Sequence, residues 1–167
     1  MRKRDFILAA AALAACSQLE QKAEPPLAGA ADDPAGVIRA VYAPYLAESD
    51  ENLPELQERA PWSASLRPLV ERAARFEPGE SIDPDGLVFD PFLSAQEWGI
   101  ENNDLTVTTE SLVPESHAVV RARFNRDMEV VYDLIWENGG WRIDNMRSGG
   151  ADDGWDLRRI VEREATR

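Results

Sequence analysis

Cysteine and histidine are nearly missing from this chain: Cys16 and His117 are the only ones among its 167 residues. A single cysteine excludes an internal disulfide, so a folded part must hold together through its core. A single histidine excludes a multi-histidine metal site, and no Gly-Xaa-Ser-Xaa-Gly turn is present to carry an activated serine. Long apolar runs are missing too; the stretch Ile7 to Ala15 is too short to span a bilayer. Positive charge is scarce, with 18 Lys and Arg against 31 Asp and Glu, a net charge of −13. That balance argues against nucleic acid and against docking of the folded body onto anionic lipid, and it suits solubility or a basic partner. Ser81-Ile82-Asp83-Pro84-Asp85-Gly86 has some features of a calcium loop, but Ser81 opens it and Phe92 takes the bidentate Glu position. It reads as a turn, and no metal or cofactor is expected.

What is present begins with a leader. Arg2-Lys3-Arg4 is cationic, Ile7 to Ala15 is apolar, and Leu13-Ala14-Ala15-Cys16 closes it. This order resembles a bacterial lipoprotein signal, in which a peptidase cuts before a cysteine whose thiol carries diacylglycerol. Residues 1–15 are then the signal peptide and Cys16 the site of lipid attachment. Lys3-Arg4-Asp5-Phe6-Ile7 also resembles a degenerate twin-arginine signal, which leaves the export route open. Ser17, not Asp, follows the cysteine, which implies outer-membrane sorting with the domain facing the periplasm. Loss of Arg2, Lys3, Arg4 and Asp5 would leave 15 basic and 30 acidic residues, a net −15.

Residues 16–32 form the lipidated cysteine and a tether rich in Gln, Glu, Ala and Pro without periodicity. Residues 33–167, about 135, suit one domain. Asp33-Pro34 is a helix start, with Val37, Ile38, Val41 and Tyr45 on one face and Pro44 bending or ending the helix. Leu66, Leu69, Val70 and Ala73 predict a second helix, with Ser65 as its cap and Pro68 in its first turn. A closing helix is expected from about Asp153, with Leu157, Ile160 and Val161 inward. Strands dominate from Leu105 to Ser148. Every second residue is apolar or aromatic in two stretches, Ala118, Val120, Ala122 and Phe124, then Met128, Val130, Tyr132, Leu134 and Trp136. A three-residue loop at Asn125-Arg126-Asp127 pairs Phe124 with Met128 and Arg123 with Glu129, so the two sets share a face. Asn138-Gly139 is a two-residue hairpin signal that pairs Trp136 with Trp141 and Leu134 with Ile143. Helices first, then an antiparallel meander, give an α+β fold.

That register also predicts that Asp133 faces Asp144 on the other side of the sheet. Like charges directly opposite destabilise a strand pair unless a cation intervenes. Arg121, diagonal to Asp133 in the neighbouring pair, is the expected cation. Three readings stay open for this face: a solvated ion network, a patch where Arg121 and Arg123 grip a carboxylate or phosphate, and a proton-sharing Asp133–Asp144 dyad.

Phe89-Asp90-Pro91-Phe92-Leu93-Ser94-Ala95-Gln96-Glu97-Trp98, followed by Gly140-Trp141-Arg142-Ile143-Asp144-Asn145-Met146, resembles domain-of-unknown-function family 3828. The resemblance covers about Asp33 to Ala165; Glu97 stands where many relatives have Asp. It implies a cone-shaped, cystatin-like or nuclear-transport-factor-like fold, a curved antiparallel sheet wrapped around helices. It implies no settled activity. Asp90 and Gln96 are the binding candidates of that segment, and Asp90, held extended by Pro91, is expected to anchor the turn through backbone hydrogen bonds.

The expected function is a non-catalytic, membrane-anchored binding module for an envelope protein or a small ligand. The alternatives are a cavity isomerase, dehydratase or hydrolase using Asp90 or Asp133 with Tyr42 or Tyr132, and an immunity-type protein that neutralises a basic toxin. A side-chain-filled interior favours the first reading; charged groups converging in an apolar pocket favour the enzyme.

Overall fold

The computed structural model describes residues 33–46, 53–74, 89–94, 99–101, 104–148 and 154–165. The leader, Cys16, the tether, the Ser81–Gly86 turn, Gln96, Glu97, Trp98 and Asp153 lie outside these residues. The first helix, α1 (Pro34–Tyr42), starts where Asp33 and Pro34 predict. Asp33 is extended and its Oδ1 accepts from the Ala35 N–H at 3.0 Å. A Cβ at Gly36 would come within 2.9 Å of the Asp33 carboxylate, so a larger residue there would have to displace the capping side chain. Pro44 cannot continue the helix, and Ala43–Leu46 tightens into a 3-10 turn that turns Tyr45 inward.

A second 3-10 turn, Leu56–Glu58, precedes α2 (Arg67–Ala73). Its entry is capped by Ser63, not by Ser65. The Ser63 hydroxyl accepts from the Leu66 N–H at 3.1 Å and its carbonyl from the Arg67 N–H at 3.0 Å. Ser65 is drawn away because its hydroxyl donates to the Asp144 carboxylate. Pro68 does lie in the first turn.

Four antiparallel strands follow in the order β1 (Leu105–Val113), β2 (His117–Phe124), β3 (Met128–Glu137) and β4 (Gly140–Ser148). The β2–β3 loop has the expected three residues, with Asn125 and Arg126 at positive φ, and it pairs Phe124 with Met128 and Arg123 with Glu129. Asn138 and Gly139 take φ of 52° and 76°, the backbone of a two-residue hairpin turn. Trp136 faces Trp141, their rings edge to face with centroids 5.2 Å apart.

One register expectation fails. Asp133 faces Asn145, not Asp144, because the ladder slips between Asp133 and Leu134. Asp144 is the extra residue of a β-bulge, which the regular alternation used to set the register could not foresee. The slip exchanges the faces within β4: Trp141 and Ile143 point inward before it, and Met146 after it.

The closing helix α3 (Leu157–Ala165) begins later than Asp153 suggests. Asp156 caps it, accepting from the Arg159 N–H at 2.9 Å. The chain stays extended up to that point because Asp156 bridges antiparallel to Arg147. Leu157, Ile160 and Val161 are buried as expected.

The helices share one face of the sheet. α1 packs across β1 and β2, α3 on β4, and α2 against α3. The face beneath them carries Ala118, Val120, Ala122, Phe124, Val130, Tyr132, Leu134, Trp141, Ile143 and Met146, all essentially closed to solvent. The free side of β4 is covered in two pieces. Trp62 bridges parallel to Ile143, and Asp156 antiparallel to Arg147. Between these covers, the Arg158 guanidinium donates to the carbonyl of Asp144 at 2.7 Å.

Candidate functional site

Among the described residues, three clusters of polar side chains stand out. The first joins α1 to the Asp90 turn. Tyr132 donates to the Tyr42 hydroxyl at 2.8 Å, and Tyr42 donates to the Phe92 carbonyl at 2.8 Å. Tyr45 donates to Asp90 Oδ2 at 2.9 Å, and Arg59 Nη1 donates to the same oxygen at 2.6 Å and to the Tyr45 hydroxyl at 3.1 Å. Asp90 Oδ1 accepts from the Phe92 N–H at 2.8 Å. Both carboxylate oxygens are thus engaged, one in the turn and one in the tyrosine–arginine pair. The rings of Tyr42, Tyr45, Phe124, Tyr132 and Phe92 meet at centroid distances of 5.5–6.3 Å, which locks the hydroxyls in place.

Burial holds all three phenols above the ordinary tyrosine range. Desolvation is the largest cause for each. The Tyr132 hydrogen bond offsets part of it at Tyr42, while the Asp90 charge adds to it at Tyr45. These are neutral groups already committed as donors. They are poorly suited to take a proton from a substrate.

The second cluster surrounds the bulge. Asp144 Oδ1 accepts from Ser63 at 2.7 Å, Ser65 at 2.9 Å and Arg158 Nη2 at 2.6 Å. Beside it, Asn145 Oδ1 accepts from the Arg158 N–H at 3.0 Å, and Asn145 Nδ2 donates to Asp156 at 2.9 Å. The bulge turns two consecutive polar side chains toward the helices' ends, so β4, α2 and α3 are fastened at one point. Sequence reading missed Ser63 and Arg158 and took Ser65 for a helix cap; the partner they share, Asp144, is remote from each in the chain. No local pattern announces that shared contact.

The third cluster is a ladder on the sheet face away from the helices. Arg121 holds Glu110 with Nε and Nη2 and also pairs with Glu129, while Arg123 Nε reaches Glu129 at 2.7 Å. Asp133 pairs with Arg147, so Arg147 and not Arg121 supplies the cation expected beside it. The hydrogen bond from Arg121 lowers the Glu110 carboxyl below the usual carboxylate range, and the same bond raises the Arg121 guanidinium. Val131 is buried on this face, in register between Arg121 and Arg147.

No family model, curated protein or solved structure matches this chain.

The sequence candidates therefore divide. Arg121 and Arg123 come together through Glu129; Asp133 and Asp144, set apart by the bulge, go to different arginines and form no dyad. Asp90 stands in the tyrosine cluster, away from the sheet's outer face. Cys16 and Gln96 lie outside the described residues. Among the described residues, no group of three or more His, Cys, Asp or Glu side chains is placed to hold a metal ion. No described helix is long and apolar enough to cross a membrane.

Proposed function

We propose that this protein is a lipid-anchored protein of the bacterial envelope whose α+β domain binds a partner without turning over a substrate. The observation that carries the non-catalytic part is how the candidate carboxylates are used. Asp90, Asp133 and Asp144 each sit in an ion pair with an arginine, and Asp90 and Asp144 accept further hydrogen bonds from neighbouring hydroxyls or backbone. The side chains beneath the helices pack against one another, with Tyr132, Val130, Ile143 and Met146 fully buried. A catalytic carboxylate needs a free lone pair facing a substrate, and a cavity site needs unfilled space.

The anchor rests on the leader and on Cys16, with outer-membrane attachment and a periplasm-facing domain as the address. Membership of family 3828 and the cone-shaped form of its sheet belong to the same proposal. Helices confined to one face of an open four-stranded antiparallel sheet support it. The partner is an envelope protein or a small ligand.

Mass spectrometry of the protein purified from its native membrane tests the anchor. The expected species begins at Cys16 and carries acyl chains, each buried methylene contributing about 0.8 kcal/mol to membrane attachment. Cys16→Ala should move the protein out of the membrane fraction. An unmodified thiol with residues 1–15 still attached would overturn the address.

A further inference from the structure

The turn between β3 and β4 sets a carboxamide beside a backbone nitrogen that no side chain shields. Asn138 and Gly139 are both exposed, and a Cβ added at Gly139 would meet nothing within 4 Å. The other asparagines among the described residues are held by their carboxamides. Asn125 accepts from the Glu101 N–H at 2.7 Å and donates to the Gly99 carbonyl at 3.1 Å. Asn145 accepts from the Arg158 N–H at 3.0 Å and donates to Asp156 at 2.9 Å. Neither the Asn138 carboxamide nor the Gly139 N–H makes such a bond among the described residues.

The geometry points to Asn138 as a site of spontaneous deamidation in the folded protein, with an isoaspartyl product that loosens the β3–β4 hairpin. The Gly139 nitrogen, giving its proton to water, attacks Asn138 Cγ. The new C–N bond closes a five-membered succinimide, and ammonia leaves. Water then opens the ring, so the net change is amide and water to carboxylate and ammonium. Opening at Cγ gives aspartate. Opening at the Asn138 backbone carbonyl routes the chain through Cβ and Cγ instead, which is isoaspartate.

The backbone of the turn brings ring closure within reach without unfolding. Positive φ at both central residues, 52° and 76°, makes this a type I′ turn. Closure needs Asn138 Cβ eclipsed with the Gly139 nitrogen, a ψ of about −120°, which is the value at the first central residue of a type II′ turn. A type II′ turn keeps positive φ at that residue, so rotating the one peptide between Asn138 and Gly139 reaches it. Gly139 then takes a negative φ, which glycine adopts as readily as a positive one. Both turn types suit a two-residue hairpin, so Glu137 stays opposite Gly140 and Trp136 opposite Trp141 through the flip. Isoaspartate does not keep that fit, because it adds a methylene to the main chain of the turn. The contacts nearest to it are the bond from the Ala64 N–H to Glu137, at 2.9 Å, and the edge-to-face Trp136–Trp141 pair.

Peptide mapping of the full chain, held folded in mild detergent at mildly alkaline pH and sampled over time, tests it. Electron-transfer fragmentation separates isoaspartate from aspartate. Asn138 should lose its amide, with isoaspartate the larger product, while Asn125 and Asn145 keep theirs. A parallel sample in urea should lose the Asn138 amide at a similar rate. An Asn138 that is stable in the folded chain and lost only in urea would overturn the inference, since the fold would then protect the turn. So would loss at Asn125 or Asn145 as fast as at Asn138. Isoaspartyl protein, isolated on an ion exchanger by its added negative charge, should lose the circular-dichroism exciton band of the Trp136–Trp141 pair. An unchanged band would show that the hairpin is not loosened.

Discussion

Tyr42 and Tyr132 differ by one hydrogen bond, and that difference is measurable. Tyr132 only donates to Tyr42, whereas Tyr42 also accepts from Tyr132 and donates to the buried Phe92 carbonyl. Tyr132→Phe should therefore lower unfolding free energy by about 1 kcal/mol, the net worth of one hydrogen bond. Tyr42→Phe leaves a buried carbonyl and a buried hydroxyl unpaired, and should cost about 2–3 kcal/mol. Asp90→Ala strands Arg59, the Tyr45 hydroxyl and the Phe92 N–H, and belongs with the larger loss, about 2–4 kcal/mol. Urea unfolding followed by tryptophan fluorescence gives the order. Equal losses for the two tyrosine variants would show that the hydroxyl chain does not act as described. Asp90 was legible in the sequence because Pro91 fixes its backbone. Arg59 was not, since it reaches Asp90 from 31 residues away.

At the scale of elements, the β-bulge decides most. Without it Asp144 would lie on the outer face opposite Asp133; with it Asp144 gathers Ser63, Ser65 and Arg158. Asp144→Ala should cost about 2–3 kcal/mol, because buried Ser63, Ser65 and Arg158 all lose the carboxylate they share. Asp133→Ala, across the slip, removes a half-exposed pair with Arg147 and should cost no more than about 1 kcal/mol. Thermal denaturation of the two variants separates these outcomes. Similar losses would deny the bulge its fastening role. Gly139→Ala tests the hairpin at the far end of the same strands: its φ of 76° strains any L side chain, and about 1 kcal/mol or more should be lost. The β2–β3 and β3–β4 hairpins with their turn residues, the Asp33 cap and the bend or stop at Pro44 were readable, since each is settled within a few neighbouring residues. The Ser63 cap and the late start of α3 were not, because tertiary contacts chose among several local acceptors.

For the whole molecule, every tyrosine in the chain is in the core: Tyr42, Tyr45 and Tyr132. Their folded pKa values lie above the unfolded value near 10. Stability from these phenols is full below that value and is lost as pH rises above it, since the unfolded chain releases protons the folded chain keeps. Phenolate absorbance should stay silent through pH 10 and appear only together with loss of the native circular dichroism. A tyrosine ionising normally in the folded protein would place that ring in solvent and break the cluster. The sequence alone determined the α+β class, the strand pairings next to tight turns and the apolar faces, because periodicity and turn chemistry act over a few residues. Only the tertiary structure decided the register beyond the bulge and the arginine given to each carboxylate. Those choices depend on groups tens of residues apart meeting across a packed core, where one inserted residue redirects every side chain after it.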